Sequence, residues 1–170
     1  MKNKFFLLVI FCLFGSTSLL YSVDTIKILN IIKERYSEYN KTIHKCSQKE
    51  YNIMNESTEG GQLILYVENK KVKKITAILY GEFGKSVNEY YVLDQQVFFV
   101  LKSTFLYQNP IYEGKVIVKE KSQSRFYFYN NKMIRYLNQN NRIINPKSTE
   151  FNEFQKRILS DYNKYLAYLK

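Results

Sequence analysis

The sequence contains few of the residue types from which catalytic centres and metal sites are most often built. Its 170 residues include one histidine, two cysteines and no tryptophan. The histidine, His44, stands two positions before Cys46, and side chains two positions apart on a helix point to different sides. The pair also supplies only two of the four ligands that a structural zinc ion takes. We therefore predict neither a catalytic role nor a metal for this pair.

Motifs that bind phosphate, activate a serine or coordinate calcium are also missing from the sequence. Two carboxylates about 5–10 Å apart could still hydrolyse a glycosidic bond, and Glu82 lies in the glycine-flanked loop Gly81–Gly84. The spacing of the other acidic residues favours none of them as its partner. We therefore predict that the protein is not an enzyme and needs no cofactor. A small hydrolase using Glu82 and a second acid is the least favoured alternative.

The first 22 residues have the order of segments that is typical of a secretory signal peptide. Two lysines precede an unbroken apolar run at residues 5–14, and small residues then lead to a cleavage point after Ser22. The run is too short to span a bilayer comfortably. We therefore predict a signal peptide at residues 1–22, a single domain at residues 23–170, and a periplasmic or secreted location.

Cysteine is too scarce in the mature chain for an internal disulfide bond. Cys12 lies in the apolar run and is expected to leave with the signal peptide, and the bulky Phe11 before it argues against a lipoprotein anchor. Cys46 is then a single thiol in an oxidising compartment. We expect this thiol to be buried, with an intermolecular bridge as the alternative.

Positive charge predominates in the chain, with 26 basic and 15 acidic residues. Without the two lysines of the signal peptide, 24 basic residues face 15 acidic ones, a net charge of +9. An exported basic protein meets an acidic protein or an anionic envelope component more readily than nucleic acid. The competing interpretation is simple solubility, because only the lysines at positions 70, 71, 73 and 74 form a tight group. Peripheral membrane contact through these lysines is a further alternative.

Apolar residues spaced three and four positions apart predict two amphipathic helices. The first stripe consists of Leu29, Ile32, Tyr36, Tyr39 and Ile43. The second consists of Phe151, Phe154, Ile158, Tyr162, Tyr165 and Leu169. Pro146 bars a helix before the second stripe, and Ser148 or Thr149 is expected to cap it.

Between the helices, a short pattern occurs three times and predicts three β-hairpins. Its copies are Val67–Val72, Val92–Val97 and Phe128–Met133, each a polar pair led by Asn or Asp between β-forming residues. Three hairpins in series predict an antiparallel meander of about six strands. Residues 47–61 are expected to form a connector with, at most, a short strand at residues 51–54.

The fold class predicted from these elements is α+β: an N-terminal helix, the meander, and a C-terminal helix packed on the sheet. The segment Val97–Leu101 is apolar at every position, which indicates a strand covered on both faces. The helices could provide that cover by crossing the sheet. The sheet could instead curl around the helices, or bury its second face in a dimer.

One segment of the meander, Glu89–Val100, resembles a unit found in uncharacterised secreted bacterial proteins, in which a pair of tyrosines precedes a turn and an apolar strand. It is also similar to variant MORN-type repeats, which stack hairpins into a sheet. Gln95 and Asn131 stand where such repeats usually have a glycine in the turn. The resemblance covers residues 63–137 and implies a meander without implying an activity.

We predict from these features a non-enzymatic binding or accessory module that acts outside the cytoplasm. Tyrosine is a preferred residue of recognition surfaces. The expected binding surface is a tyrosine-bearing face of the sheet with two arginines, and its residues are Tyr90, Tyr107, Arg125, Tyr127, Tyr129 and Arg135. The main alternative is an inhibitor or partner of another exported enzyme, which would use the loop Gly81–Ser86 or Gln108–Gly114. The ligand and the oligomeric state stay open.

Overall fold

In the computed structural model, which describes residues 24–169, one antiparallel sheet carries a helix on each face. Helix α1 covers residues 24–42. The strands are β1 Ser47–Ile53, β2 Gly61–Glu68, β3 Lys71–Gly81, β4 Gly84–Leu93, β5 Gln96–Tyr107, β6 Val118–Tyr129 and β7 Lys132–Leu137, and helix α2 is Thr149–Leu166. Short 3₁₀ turns occupy Ile43–Lys45, Ile111–Glu113 and Ala167–Leu169. The predicted signal peptide lies outside the described residues.

The strands follow one another across the sheet in chain order, each antiparallel to its neighbours. The predicted meander and α+β class are therefore confirmed, with seven strands rather than about six. The additional strand is β1, in the segment expected to be a connector. As an edge strand β1 needs backbone pairing on one side only, and of its residues only Ile53 is fully buried. Its sequence consequently lacks the apolar alternation by which strands are recognised.

The three repeated hairpins share a turn with positive φ at both central residues, which is the signature of type I′. The φ values are 51° and 62° at Asn69–Lys70, 47° and 63° at Asp94–Gln95, and 48° and 59° at Asn130–Asn131. The pairing register then shifts in each hairpin, between Tyr66 and Val67, Tyr91 and Val92, and Tyr127 and Phe128. The sequence repeat is thus a repeat of turn type and bulge position.

The two helices bury two separate cores. Helix α2 packs Phe151, Ile158, Tyr162 and Tyr165 on one sheet face, and α1 packs Leu29 and Ile32 on the other. Strand β5 contributes to both cores, and all five residues from Val97 to Leu101 are buried. The sequence left several arrangements open, and in the structure one helix covers each face of the sheet.

Hydrogen bonds between each helix and the sheet fix where the helices lie. The Tyr39 hydroxyl of α1 donates to the Val92 carbonyl at 2.9 Å, and the Tyr162 hydroxyl of α2 donates to the Gln95 carbonyl at 2.9 Å. The predicted cap of α2 is also present, because the Ser148 hydroxyl accepts from the Phe151 N–H at 3.2 Å. Within the described part of the chain, no helix combines the length and the apolar character needed to cross a membrane.

Candidate functional site

The four tyrosines of the predicted binding surface lie in four different environments. Tyr90 is 2% exposed in the core under α2, where its ring is 5.8 Å from that of Tyr165. Tyr127 is 7% exposed in the core under α1. Tyr107 is buried near the β3–β4 turn, where its N–H donates to the Phe83 carbonyl, and Tyr129 is 50% exposed. The prediction of a single tyrosine face is therefore wrong.

Strand alternation explains why Tyr90 is separated from Tyr127. Adjacent residues of a strand point to opposite faces, and Tyr91, not Tyr90, pairs with Phe99, which in turn pairs with Tyr127. Tyr91 therefore shares the α1 face with Tyr127. The sequence shows the Tyr90–Tyr91 pair but leaves open which of its members faces which helix.

The two predicted arginines lie beside Tyr127 on the α1 face. Arg125 precedes Tyr127 by two positions on β6, and Arg135 is the direct register partner of Tyr127 on β7. The Arg125 Nη1 donates to Asn141 Oδ1 at 2.7 Å. This bond comes from the segment after β7 and holds the guanidinium in place beside the sheet.

Arg125 and Tyr127 line a cavity of about 320 Å³ between α1 and strands β5 and β6, which we name the α1 pocket. Ile32, Lys33 and Tyr36 of α1 and Phe99, Leu101 and Gln123 of the sheet complete its lining. The volume is within the range of about 300–1,000 Å³ that is usual for small-molecule sites.

Aromatic rings packed edge to face form the inner wall of the α1 pocket. The ring of Tyr36 lies 4.9 Å from that of Phe99 and 5.0 Å from that of Tyr91, and Phe99 lies 5.1 Å from Tyr127. These separations and tilted planes are those that aromatic pairs prefer. The wall is therefore a preformed apolar surface, because its rings are held by one another before any ligand arrives.

The charged groups around the α1 pocket are cationic. Lys33 and Arg125 line it, and none of the described residues in its lining is acidic. Burial raises the pKa of Tyr127, while the nearby Arg125 and Arg135 guanidiniums act in the opposite direction. The Arg135 Nε is buried without a hydrogen-bond partner among the described residues. The Tyr127 phenol is thus a neutral donor within a positive field, a setting suited to an anionic group.

Several residues of the α1 pocket were not predicted from the sequence. Tyr36 and Ile32 belong to the predicted helical stripe, whose spacing indicates only an apolar helix face. Gln123 and Phe99 face the pocket because α1 crosses β5 and β6, and no local sequence pattern indicates that crossing. Only the alternation of side chains along β6 could have identified part of the pocket from the sequence, since it places Gln123, Arg125 and Tyr127 on one face.

The two loops proposed as an inhibitory surface contact each other. The Tyr112 hydroxyl donates to the Glu82 carboxylate, and the Ile111 N–H donates to the Glu82 carbonyl at 2.9 Å. Phe83 is 55% and Tyr112 71% exposed. Glu82, the acid of the hydrolase alternative, is therefore engaged in holding one loop against the other.

The grouped lysines and the Cys46 thiol also have definite surroundings. Lys71 pairs with Asp94, Lys73 with Glu68 and Lys74 with Glu89, so three of the four lysines at positions 70–74 are neutralised locally. Cys46 is a half-buried free thiol, and burial raises its pKa. Among residues 24–169, no group of three or more His, Cys, Asp or Glu side chains is arranged to hold a metal ion.

Comparison with protein-family models, curated proteins and solved structures gave no match to this chain. The resemblance to hairpin repeats and to secreted bacterial proteins consequently stays a prediction.

Proposed function

We propose that the protein is an exported, non-enzymatic binding module whose ligand, a small organic anion with an apolar body, occupies the α1 pocket. The observation that carries this proposal is the composition of the pocket: an aromatic wall, two cationic side chains and no acid among its described lining residues. The assignment to export rests on the pattern of residues 1–22.

Arg125 is the residue that would bind the anionic group. A guanidinium presents donors in a planar fork that fits a carboxylate, sulfonate or phosphate, and the bond to Asn141 holds this one in position. Lys33 of α1, which also lines the pocket, adds an ammonium group. The apolar body of the ligand would then lie against the rings of Tyr36 and Tyr127.

A pair of matched fluorescent probes tests this proposal. Anilinonaphthalene sulfonate carries an anionic group, and phenylnaphthylamine has the same aromatic body without it. We expect the protein to bind the sulfonate more tightly than the neutral amine. Arg125→Gln should weaken sulfonate binding about tenfold or more and leave amine binding unchanged, because hydrogen bonds between charged partners are the strong ones.

Arg142→Gln is the matched control, since Arg142 is an exposed arginine outside the pocket lining. The control should retain the preference for the sulfonate. Equal affinities of the unmodified protein and the Arg125→Gln variant for the sulfonate would refute the proposed ligand site. Export is tested separately by the mass of the protein recovered from cells, which should correspond to a chain beginning near Val23.

A second candidate function is the binding of another exported protein through the two joined loops. The exposed apolar side chains of Phe83 and Tyr112, held together through Glu82, favour it. Affinity capture from the exported fraction with Tyr112→Ala as the comparison tests this function. Capture of the same protein at the same level by the variant would count against it.

A further inference from the structure

Polar side chains of β4, β5 and β6 interrupt the apolar α2 face of the sheet. On this face Lys102 is the register partner of both Ser124 and Asn88, and Thr104 is the partner of Ser122. Direct register partners of antiparallel strands lie on one face with their side chains adjacent. The neighbouring residues of this face form the core under α2 and are almost entirely apolar. The polar group is therefore a local departure from the pattern of the face.

These side chains open into a cavity of about 350 Å³ beside the first turns of α2, which we name the hydroxyl groove. The hydroxyls of Thr104, Ser122 and Ser124 form one wall, and the ring of Phe154 supplies an apolar wall. A smaller adjoining cavity shares Lys102 and Phe154 with the groove and is also lined by Asn88. The groove is thus a concave surface with several polar groups and one aromatic ring.

Two polar groups of this face lack partners in the described part of the chain, Asn88 in the small adjoining cavity and Lys102 in the hydroxyl groove itself. Asn88 is 7% exposed, and its Oδ1 is buried without a hydrogen-bond partner among the described residues. A buried acceptor without a donor is costly. Lys102 takes part in none of the ion pairs found between described side chains. Burial lowers its pKa, assisted by Arg157, while Asp161 acts in the opposite direction.

We propose that the hydroxyl groove is a second binding site, distinct from the α1 pocket, and that it accepts a neutral saccharide unit. A sugar hydroxyl is both donor and acceptor, so a ligand in the groove can supply an acceptor for the Lys102 ammonium and partners for the hydroxyls of the groove wall. The hydroxyls of Ser122, Ser124 and Thr104 can each donate or accept. The C–H face of the sugar ring would pack against Phe154.

The acidic rim of the hydroxyl groove favours a neutral sugar over an anionic one. Glu150, in the first turn of α2, lines the groove together with Tyr136. Burial raises the pKa of Tyr136 to about 12, and the adjacent Glu150 carboxylate contributes to the increase. A carboxylate at this position repels an anionic ligand, whereas it can accept a hydrogen bond from a hydroxyl. The two sites therefore select ligands of different charge.

Saturation-transfer NMR with three neutral oligosaccharides, maltotetraose, cellotetraose and chitotetraose, tests the proposal. We expect the protein to transfer saturation to at least one of them. Lys102→Met should reduce the affinity for that sugar about tenfold, because it removes a charged hydrogen-bond donor while keeping the length of the side chain. Lys121→Met is the matched control and should retain the affinity, since Lys121 lies on the α1 face of β6.

Thr104→Val, which replaces one hydroxyl with a methyl group of similar size, is the second variant and decides the matter if Lys102→Met does not fold. It should weaken sugar binding while leaving the circular dichroism spectrum unchanged. Arg125→Gln, in the α1 pocket, should bind the sugar like the unmodified protein, so failure of one site is distinguishable from failure of the other. Absence of saturation transfer to all three sugars, or unchanged affinity in both groove variants, would overturn the proposal.

Discussion

Lys74 is a charged residue that the fold buries beside two tyrosine rings and a carboxylate. Its side chain forms an ion pair with Glu89, and its ammonium lies 5.0 Å from the ring centroid of Tyr91 and 5.5 Å from that of Tyr66. The rings and the carboxylate together replace the water that an exposed lysine would have. The pair lies on the α1 face of the sheet.

Removal of one partner of this pair should affect stability in an asymmetric way. Glu89→Gln leaves the ammonium buried without a counter-charge and should lower the free energy of unfolding by about 2–3 kcal/mol. Lys74→Met keeps the packing and leaves a carboxylate that is still partly in contact with water, and should cost about 1 kcal/mol or less. Urea unfolding followed by circular dichroism measures both. A larger loss of unfolding free energy in Lys74→Met than in Glu89→Gln would show that the attraction within the ion pair, rather than the cost of a buried unpaired charge, determines the effect.

At the scale of the element, the repeated hairpins place side-chain-bearing residues where glycine is favoured. Gln95 has a φ of 63° at the second position of its turn. Gln95→Gly should raise the free energy of unfolding by about 1 kcal/mol, because the left-handed conformation costs other residues roughly that amount. The Tyr162 hydroxyl bond to its carbonyl is a backbone contact and is kept.

Two further substitutions control for the effect of glycine itself. Gln96→Gly, one position later in β5, should destabilise the protein, because glycine in a strand increases the entropy lost on folding. Asn131→Gly should give a smaller gain than Gln95→Gly, since asparagine tolerates a positive φ. Thermal unfolding of the three variants ranks them. A loss of stability in Gln95→Gly would mean that its side chain makes a contribution larger than the backbone cost.

Helix α2 depends on its cap in a way that can be separated from its packing. The Ser148 hydroxyl accepts from the Phe151 N–H and donates to the Asn145 carbonyl at 2.7 Å. Ser148→Ala should cost about 1 kcal/mol of unfolding free energy, and Ser148→Asp, which keeps an acceptor, should recover most of it. The same urea titration measures both. Equal losses in the two variants would indicate that the bond to Asn145 is the one that matters.

At the scale of the whole molecule, buried tyrosines make the fold sensitive to alkaline pH. Burial raises the pKa of Tyr162 to about 12, and the pKa of Tyr136 also stands at about 12. An unfolded tyrosine ionises near pH 10, so above that value the unfolded chain releases protons that the folded one retains. Stability is therefore fully present below about pH 10 and falls as the pH rises towards 12.

Absorbance of the tyrosinate form and circular dichroism, recorded together against pH, check this expectation. The ionisation of the buried tyrosines should coincide with loss of structure. Tyr162→Phe should retain structure to a higher pH, since it removes one ionisable group while keeping the ring in the core. Unfolding of the variant and of the unmodified protein at the same pH would contradict the assignment to Tyr162.

The sequence predicted the parts of this molecule that depend on local patterns. The hairpin turns follow from Asn and Asp positions, and the helices follow from apolar spacing capped by Ser148. The sequence allows at most a short strand at residues 51–54 in place of β1, because pairing with β2, rather than an apolar pattern, defines Ser47–Ile53. Of the residues that line the α1 pocket, only Arg125 and Tyr127 were predicted from the sequence. The others, such as Tyr36, line it because α1 crosses β5 and β6, and that crossing depends on contacts between segments distant in sequence.

The order of strands in the sheet has a consequence for how the chain folds. Every strand pairs with its neighbour in sequence, so the sheet has low contact order and can grow hairpin by hairpin. The two helices are the exceptions, because Tyr39 of α1 bonds to a carbonyl 53 residues later and Tyr162 of α2 bonds to one 67 residues earlier. During synthesis, which starts at the N-terminus, α1 is made first, but it can dock only after β4 and β5 have formed. Pulse-labelled hydrogen exchange should therefore show the hairpins protected before α1, and the α1 pocket closes as a late step of folding.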